Sequence, residues 1–322
     1  MRSFSKLFAA VLMIVSASTA MAGETLRIAV LKFGTVNWEL DSIQHNGFDT
    51  ANGFELEVAG LAGKSATMVA FQGGETDVIV SDWIWVARQR AAGKDYVFIP
   101  YSKSVGGLMV AGDSPIHKLS DLAGLKIGIA GGPVDKSWLI LQAYAQQTLG
   151  FDLKGETEQV FGAPPLVFKK ALQGELQGTI NFWHFLAKMK AKGFREIISV
   201  ADAATALGLN PDIPLLGYVV KGDFLRTHPD LVAGFAAASH AAKDKLDSDD
   251  TEWDRLRPRM KTKSDAAFKA LKDGFRAGIP STDPIDPAAA SAFLALMAKI
   301  GGEPLVGKAT SLPDGIFYSP TK

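Results

Sequence analysis

Tryptophan is concentrated at predicted loops of this 322-residue chain, where it could form the wall of a binding pocket. Of six tryptophans, four lie in or beside loops that follow a predicted strand: Trp38, Trp83, Trp138 and Trp183. Ligands of open α/β sheets bind at such loops, beyond the carboxyl ends of the strands. Indole rings usually pack in the core, but this placement favours an aromatic pocket for a small molecule.

The turn Gly131–Trp138 (GGPVDKSW) has the composition of an anion site. Its two glycines permit close approach of the backbone, and the first N–H groups of the following helix favour negative charge. Lys136 and Ser137 could add an ammonium group and a hydroxyl group. An ordinary helix start, capped by Asp135 with Lys136 in solvent, explains the same residues. The sequence leaves both interpretations open.

Two further loops carry polar residues that could contact a ligand. Lys64 and Ser65 follow a glycine and look like the end of a phosphate-binding loop, but Val58 stands where that loop requires glycine. A nucleotide site is therefore rejected. Asp82 is interpreted first as a helix cap, and the alternative is a buried carboxylate beside Trp83 that would suit a cationic ligand.

No catalytic or metal-binding motif is present in the sequence. The five histidines lack the spacing of a metal site, and His184, which lies near a candidate loop, is interpreted as a packed or surface residue. The dinucleotide-binding, hydrolase and zinc-protease motifs do not occur. Cysteine is absent, which excludes disulfides, thiolate ligands and a cysteine nucleophile. We therefore expect a binding protein without a cofactor rather than an enzyme.

The first 22 residues have the order of a secretory signal peptide. Arg2 and Lys6 precede the apolar run Leu7–Val15, and Ala20-Met21-Ala22 is a cleavage sequence, so the mature chain is predicted to begin near Gly23. Lys plus Arg equals Asp plus Glu at 34 each, so no charge excess indicates binding to nucleic acid. These features predict an exported protein that diffuses freely in the periplasm.

Two internal echoes indicate that one α/β plan is used twice. The segment Gly74–Trp83 (GETDVIVSDW) returns one hundred positions later as Gly174–Trp183 (GELQGTINFW). A second segment, Gly107–Asp113 (GLMVAGD), resembles Gly217–Asp223 (GYVVKGD). Strands and helices alternate along the chain, as in parallel sheets with crossover helices. We therefore predict two α/β lobes with a ligand cleft between them.

The chain is expected to leave the first lobe near Val110 and to return near Val220. This predicts lobe I at residues 23–110 and 219–322, the latter with C-terminal helices, and lobe II at residues 111–218. Two crossings would form a hinge, placed at Gly107–Gly112 and Gly217–Gly222, that closes the lobes about a ligand.

The segment that opens lobe II resembles that of periplasmic solute-binding proteins. Asp113–Ile116 (DSPI), Leu119–Gly124 (LSDLAG) and Lys126–Gly132 are similar to the binding proteins of ABC importers for nitrate, sulfonate and taurine, whose fold also serves thiamine-precursor proteins. The resemblance implies a periplasmic binding protein-like fold, and a monomer that passes a small solute to a permease in the inner membrane. It implies ligand contacts from five loops: Phe33–Trp38, Lys64-Ser65, Ser81–Trp83, Lys136–Trp138 and Phe182-Trp183.

One loop departs from the pattern of that family. Relatives often have an aromatic residue, an acid, proline and a second aromatic residue, whereas this chain has Phe182, Trp183, His184 and Phe185. We therefore expect a ligand with an apolar, aromatic or soft cationic body, with or without a carboxylate or sulfonate. The alternatives are an exported sensor subunit that presents a ligand to a receptor, and an enzyme of the pyrimidine-precursor type on the same fold.

Overall fold

The computed structural model describes residues 23–319, so the predicted signal peptide lies outside the described residues. The strands are β1 (Glu24–Leu31), β2 (Phe54–Leu61), β3 (Val78–Asp82), β4 (Tyr96–Ser102), β5 (Gly107–Val110), β6 (Lys126–Ala130), β7 (Glu158–Gly162), β8 (Gly178–Asn181), β9 (Arg195–Ser199) and β10 (Leu216–Lys221). They form two mixed five-stranded sheets, in the orders β2-β1-β3-β10-β4 and β7-β6-β8-β5-β9.

Helices follow most strands and cover the sheets. They are α1 (Val36–His45), α2 (Phe48–Ala51), α3 (Lys64–Gly73), α4 (Trp83–Ala91), α5 (Lys136–Leu149), α6 (Pro164–Leu172), α7 (Trp183–Lys190), α8 (Val200–Ala206), α9 (Gly222–Thr227), α10 (Pro229–Ser248), α11 (Asp250–Leu256), α12 (Asp265–Ala277) and α13 (Pro287–Val306). A 3₁₀ turn spans Leu119–Leu122.

The two sequence echoes occupy equivalent places in the two sheets. Strands β3 and β8, which carry the first echo, are third in their sheets, and strands β10 and β5, which carry the second, are fourth. The preceding turns also match, because Gly74 and Gly174 both have positive φ, at 82° and 75°. Strands β5 and β10 each run antiparallel to both neighbours. The predicted plan of two similar α/β lobes is confirmed.

The lobe boundaries differ from those expected. The antiparallel strands β5 and β10 each belong to the sheet of the following lobe, and not to the sheet of the lobe that precedes them in the chain. Strand β5 pairs with β8 and β9 of the second sheet, so lobe II begins before Gly107 and not after Val110. Strand β10 pairs with β3 and β4 from Leu216 onward, so lobe I resumes three residues earlier than residue 219. The crossings are therefore residues 103–106 and 207–215, outside the glycine-rich strands that were expected to form the hinge.

Strand β4 was not predicted from the sequence. It contains Pro100, which cannot donate to a neighbouring strand and weakens the strand pattern. The structure places β4 at the edge of the first sheet, where such a residue is tolerated, and Phe317 pairs with Phe98 in an isolated bridge beside it.

The cores connect the two lobes through α13. One apolar cluster joins Trp83 of lobe I, Trp138 of lobe II and Phe293 of α13, and it continues through both sheets. By length and composition α13 could cross a membrane, and a third of its most apolar window is buried here. Its contacts with α4 and α5 make it a packing element between the lobes.

Candidate functional site

A cavity of about 230 Å³ lies between the lobes, and five helices begin at its wall. Helices α1, α3 and α4 come from lobe I and follow β1, β2 and β3, while α5 and α7 come from lobe II and follow β6 and β8. Because helices begin beyond the carboxyl ends of parallel strands, the two sheets direct their helix N-termini towards the same space. Each N-terminus carries unpaired N–H groups and a partial positive charge.

Both crossing segments border this cavity. Ser104, Val105 and Gly106 line it from the first crossing, and Leu215 lines it from the second. At Gly106 a side chain would collide with the carbonyl of Asn181, since an added Cβ would lie 2.2 Å from that oxygen. A movement of one lobe against the other would therefore change the shape of the cavity directly.

Three charged side chains meet at the cavity around Asp82. Its Oδ2 atom accepts from Lys64 Nζ at 3.1 Å and from Lys136 Nζ at 2.8 Å, while its Oδ1 atom accepts from the backbone N–H of Trp85 at 2.8 Å. The side chain of Asp82 is only 4% exposed. Lys64 and Asp82 belong to lobe I and Lys136 to lobe II, so one ion pair crosses the cleft.

The two lysines keep the buried carboxylate of Asp82 ionised. Burial alone would raise the pKa of Asp82, but the ammonium groups of Lys136 and Lys64 and the hydrogen bonds hold it well below its usual range. Desolvation lowers the pKa of Lys64, and the charge of Lys136 acts in the same direction, partly opposed by Asp82. For Asp135, burial is the main cause and raises the pKa, although the N–H of Trp138 and the lysines oppose it.

The two helix caps that the sequence allowed are both present. Asp82 caps α4, and Asp135 caps α5 by accepting from the N–H of Trp138 at 3.2 Å. The turn Gly131–Trp138 combines the two interpretations that the sequence left open, an ordinary capped helix start and a site that lines the cleft. Asp135 is the cap, but Lys136 lies in the cleft with its side chain 22% exposed and paired with Asp82, and Ser137 lines the cavity.

The predicted aromatic residues separate into two groups. Phe182 and Trp183 line the cavity at the start of α7. Trp38, Trp83 and Trp138 are 6%, 0% and 1% exposed and pack in the cores, outside this cavity lining. The expected wall of four tryptophans therefore reduces to one indole ring, because the other three side chains point from their loops into the apolar layers between sheet and helix.

Ser65 and His184, two residues near the site, differ in burial, since Ser65 is exposed and His184 is buried. Ser65 is exposed on α3 and does not belong to the cavity lining, whereas its neighbour Lys64 does. His184 lines the cavity and is 8% exposed, and burial lowers its pKa to about 3, with a further contribution from Lys188. Its Nε2 atom has no hydrogen-bond partner among residues 23–319. His184 is thus a packed, neutral histidine.

A buried charge network, which no pattern in the sequence predicts, lies behind the cavity wall. Glu39 accepts hydrogen bonds at one oxygen, Oε1, from Tyr218 at 2.7 Å, Ser239 at 2.6 Å and Lys243 at 2.8 Å. The ammonium of Lys243 also lies 5.2 Å from the ring centroid of Tyr101, which lines the cavity. These partners are up to 204 residues apart, so only the tertiary fold assembles them.

The described part of the chain holds no cluster of three or more His, Cys, Asp or Glu residues suited to a metal ion. The donors around the cavity are ammonium groups, hydroxyls and backbone N–H groups. These donor groups can bind the oxygen atoms of an anion.

Comparison with known proteins shows the family of this chain. The model of the NMT1/THI5-like family matches residues 43–249, which is more than half of the chain. The chain belongs to the NMT1/THI5-like family. A search of curated proteins finds no match to the sequence.

Solved structures similar to this NMT1/THI5-like protein share its fold at low sequence identity. The periplasmic aliphatic sulphonate binding protein SsuA from Escherichia coli is 18% identical, with a TM-score of 0.73 and 94% of each chain covered. The alkanesulfonate-binding protein SsuA from Xanthomonas axonopodis pv. citri, bound to MOPS, is 14% identical, with a TM-score of 0.71, covering 93% of this chain and 99% of that one.

A third similar structure contains a bound sulfinic acid. A DSZB mutant in complex with biphenyl-2-sulfinic acid is 15% identical, with a TM-score of 0.57, and the alignment covers 91% of this chain and 97% of that one. The expected periplasmic binding protein-like fold is confirmed.

Proposed function

We propose that this NMT1/THI5-like protein is the periplasmic binding component of an ABC importer and captures a small organic anion between its lobes. The observation that carries the proposal is the convergence of five helix N-termini and two lysines on one interlobe cavity. Partial positive charges and unpaired N–H groups at helix starts stabilise negative charge, and ammonium groups reinforce them.

Three of these helix starts have no side-chain cap. Thr35, Gly63 and Phe182 precede α1, α3 and α7 without donating or accepting a capping hydrogen bond through their side chains. Helix ends at a buried wall need acceptors for their first N–H groups. The oxygens of a sulfonate or carboxylate group would supply such acceptors, and they would bind N–H groups from both lobes at once.

The rest of the cavity wall suits an organic body. Leu31, Val80, Tyr101, Trp183 and Leu216 line it with aliphatic and aromatic surface. The volume of about 230 Å³ limits the ligand to a small solute. This combination supports an anion that carries a short apolar group. The names of two proteins with similar structures, an aliphatic sulphonate binding protein and an alkanesulfonate-binding protein, describe ligands of this kind.

Transport follows from closure of the lobes. A ligand that contacts both lobes stabilises the closed state by its differential affinity for that state. We propose that the crossings at residues 103–106 and 207–215 act as the hinge, that residues 1–22 direct export and are removed after Ala22, and that the closed monomer delivers its solute to a permease in the inner membrane. The protein itself performs no chemical step.

The experiment is a thermal-shift screen of mature protein against small sulfonates, carboxylates and matched uncharged amides and sulfones. We expect one or more anions to raise the melting temperature while their uncharged analogues do not. The double variant Lys64→Gln/Lys136→Gln should lose the effect, and Lys269→Gln, which removes an exposed lysine paired with Asp273, should keep it. Stabilisation by uncharged analogues alone would contradict the proposal, and so would turnover of a bound compound.

A further inference from the structure

Ammonium groups and carboxyl groups are equal in number among the side chains that line the cavity. The ammonium groups of Lys64 and Lys136 face the carboxyl groups of Asp82 and Asp135. Burial keeps two further titratable groups of the lining uncharged, since it lowers the pKa of His184 to about 3 and raises the pKa of Tyr101 well above its usual value. Because Asp82 is held ionised, the cavity carries at most one surplus formal positive charge, and it carries that one only when Asp135, whose pKa burial raises, is protonated.

Attraction for an anion then comes from the uncapped helix ends. Each N-terminus corresponds to about half a positive charge, and the side chains of Asp82 and Asp135 already cap α4 and α5. The remaining partial charges at α1, α3 and α7 suit one delocalised negative charge. A second negative charge would have to take Lys64 or Lys136 from Asp82, and it would lie close to that carboxylate.

We propose that Asp82 determines the charge of the ligand: its carboxylate occupies both cavity lysines, so the site accepts solutes with one negative charge and rejects those with two. The proposal rests on the proposed function, because it assumes that the cavity binds an anion. It assigns to Asp82 a selective role in addition to its cap on α4.

The substitution Asp82→Asn separates the charge of this residue from its structural role. Asparagine caps helices as well as aspartate, so its side-chain oxygen can still accept from the N–H of Trp85. The size of the side chain hardly changes. The substitution releases both lysines from a counter-charge and leaves the cavity with one extra positive charge.

The test uses two probes of the same shape, carbamoylmethanesulfonate with one negative charge and sulfoacetate with two. Titration calorimetry should show that the wild type prefers the singly charged probe. In Asp82→Asn the preference should fall by at least about tenfold or reverse, because two charges a few ångströms apart interact by several kcal/mol near a protein surface. In Asp82→Asn/Lys64→Gln the formal balance returns, and so should the preference.

The matched control is Asp95→Asn. Asp95 is likewise held by two cationic side chains, Arg90 and Arg226 at 2.7 Å each, but it lies outside the cavity lining. This variant should keep the wild-type ratio of affinities. A second variant, Lys64→Gln alone, should weaken binding of sulfoacetate more than that of carbamoylmethanesulfonate.

The outcomes distinguish the two proposals. If Asp82→Asn folds and keeps the wild-type ratio, or if the wild type prefers sulfoacetate, charge selection by Asp82 is wrong while anion binding stands. If Asp82→Asn does not fold, equal losses of both probes in Lys64→Gln would overturn charge selection. A third outcome is that no variant binds either probe or any other pair made of a sulfonated carboxylate and its carboxamide. The proposal of anion binding is then wrong, and the proposal of charge selection, which rests on it, is wrong as well.

Discussion

The indole rings of Trp38 and Trp183 meet edge to face across the two lobes, with centroids 6.1 Å apart and planes at 88°. Trp38 lies in α1 of lobe I, and Trp183 is the first residue of α7 in lobe II. Trp183 also lies against Gly274 of α12, where an added Cβ would be 2.7 Å from its ring. Of these two rings, only that of Trp183 lines the cavity. The contact therefore couples the ligand wall to the interface between lobes.

Trp183→Leu should weaken binding of the anion that the thermal-shift screen identifies. The loss should be about 1 kcal/mol beyond the change in buried area, because aromatic contacts contribute on this scale. Titration calorimetry measures it. Trp138→Ala is the comparison: its ring is fully packed, so we expect a free energy of unfolding lower by about 3–5 kcal/mol in urea. If both variants lost the same binding affinity and neither lost stability, the assignment of Trp183 to the ligand wall and of Trp138 to the core would be contradicted.

Lys136→Met should open the ligand-free protein. The ion pair between Lys136 and Asp82 crosses the cleft, and a hydrogen bond to a charged group contributes about 1.5–3 kcal/mol, so its loss should shift the lobes towards open states. Small-angle X-ray scattering should show a larger radius of gyration. Lys64→Met is the control, because Lys64 binds the same oxygen from within lobe I and should leave the radius unchanged. The same increase of the radius in both variants would show that the ion pair of Lys136 does not hold the lobes together.

Lys243→Met should destabilise lobe I strongly. Glu39 and Lys243 are 0% and 4% exposed, and removal of one partner leaves an uncompensated buried charge, which costs about 3–5 kcal/mol. Urea unfolding should show this loss. In Glu39→Gln/Lys243→Met the carboxylate is gone while an acceptor remains for Tyr218 and Ser239, so most of the stability should return. No recovery in the double variant would contradict a charge-based cause.

His184 should make the protein less stable in mild acid. Its pKa is lowered to about 3 in the folded state, mainly by burial, whereas an unfolded histidine has a pKa near 6.5. Between these values only the unfolded chain binds the proton, so stability is present above about pH 6.5 and falls by about 1.4 kcal/mol per pH unit as the pH is lowered towards 3.

The measurement is urea unfolding of wild type and His184→Phe from pH 7.5 to pH 4.5. The difference between their free energies of unfolding should change with that slope below pH 6.5 and stay constant above it. His117→Phe is the control for the exchange of histidine for phenylalanine, because His117 is exposed and lies outside the cavity lining. Parallel profiles for wild type and His184→Phe would show that His184 is not buried as a neutral group.

Local signals account for much of what the sequence predicted correctly. Asp82 and Asp135 were readable as caps because a cap depends on the next three residues. The start of a helix after a strand also placed Lys64, Lys136 and Phe182 near one edge, where the cavity gathers them. Loop position alone could not decide which way a side chain points.

Tertiary packing decided the rest. The ring of Trp83 points into the core because Phe293 of α13 packs against it, with ring centroids 5.8 Å apart. Phe293 lies more than two hundred residues later in the chain. Pairing of Lys136 with Asp82 likewise depends on how the two lobes meet. Strand β5 was assigned to the wrong lobe because the pattern of Gly107–Val110 describes a strand but not its partners.

Strand β10 has a consequence for how the chain matures. It lies between β3 and β4, so until residues 216–221 have been synthesised the edge strand β4 has no neighbour to hold it in the first sheet. An N-terminal fragment that ends before this point cannot complete its own first lobe. The first sheet can therefore be completed only once about two thirds of the 322 residues exist.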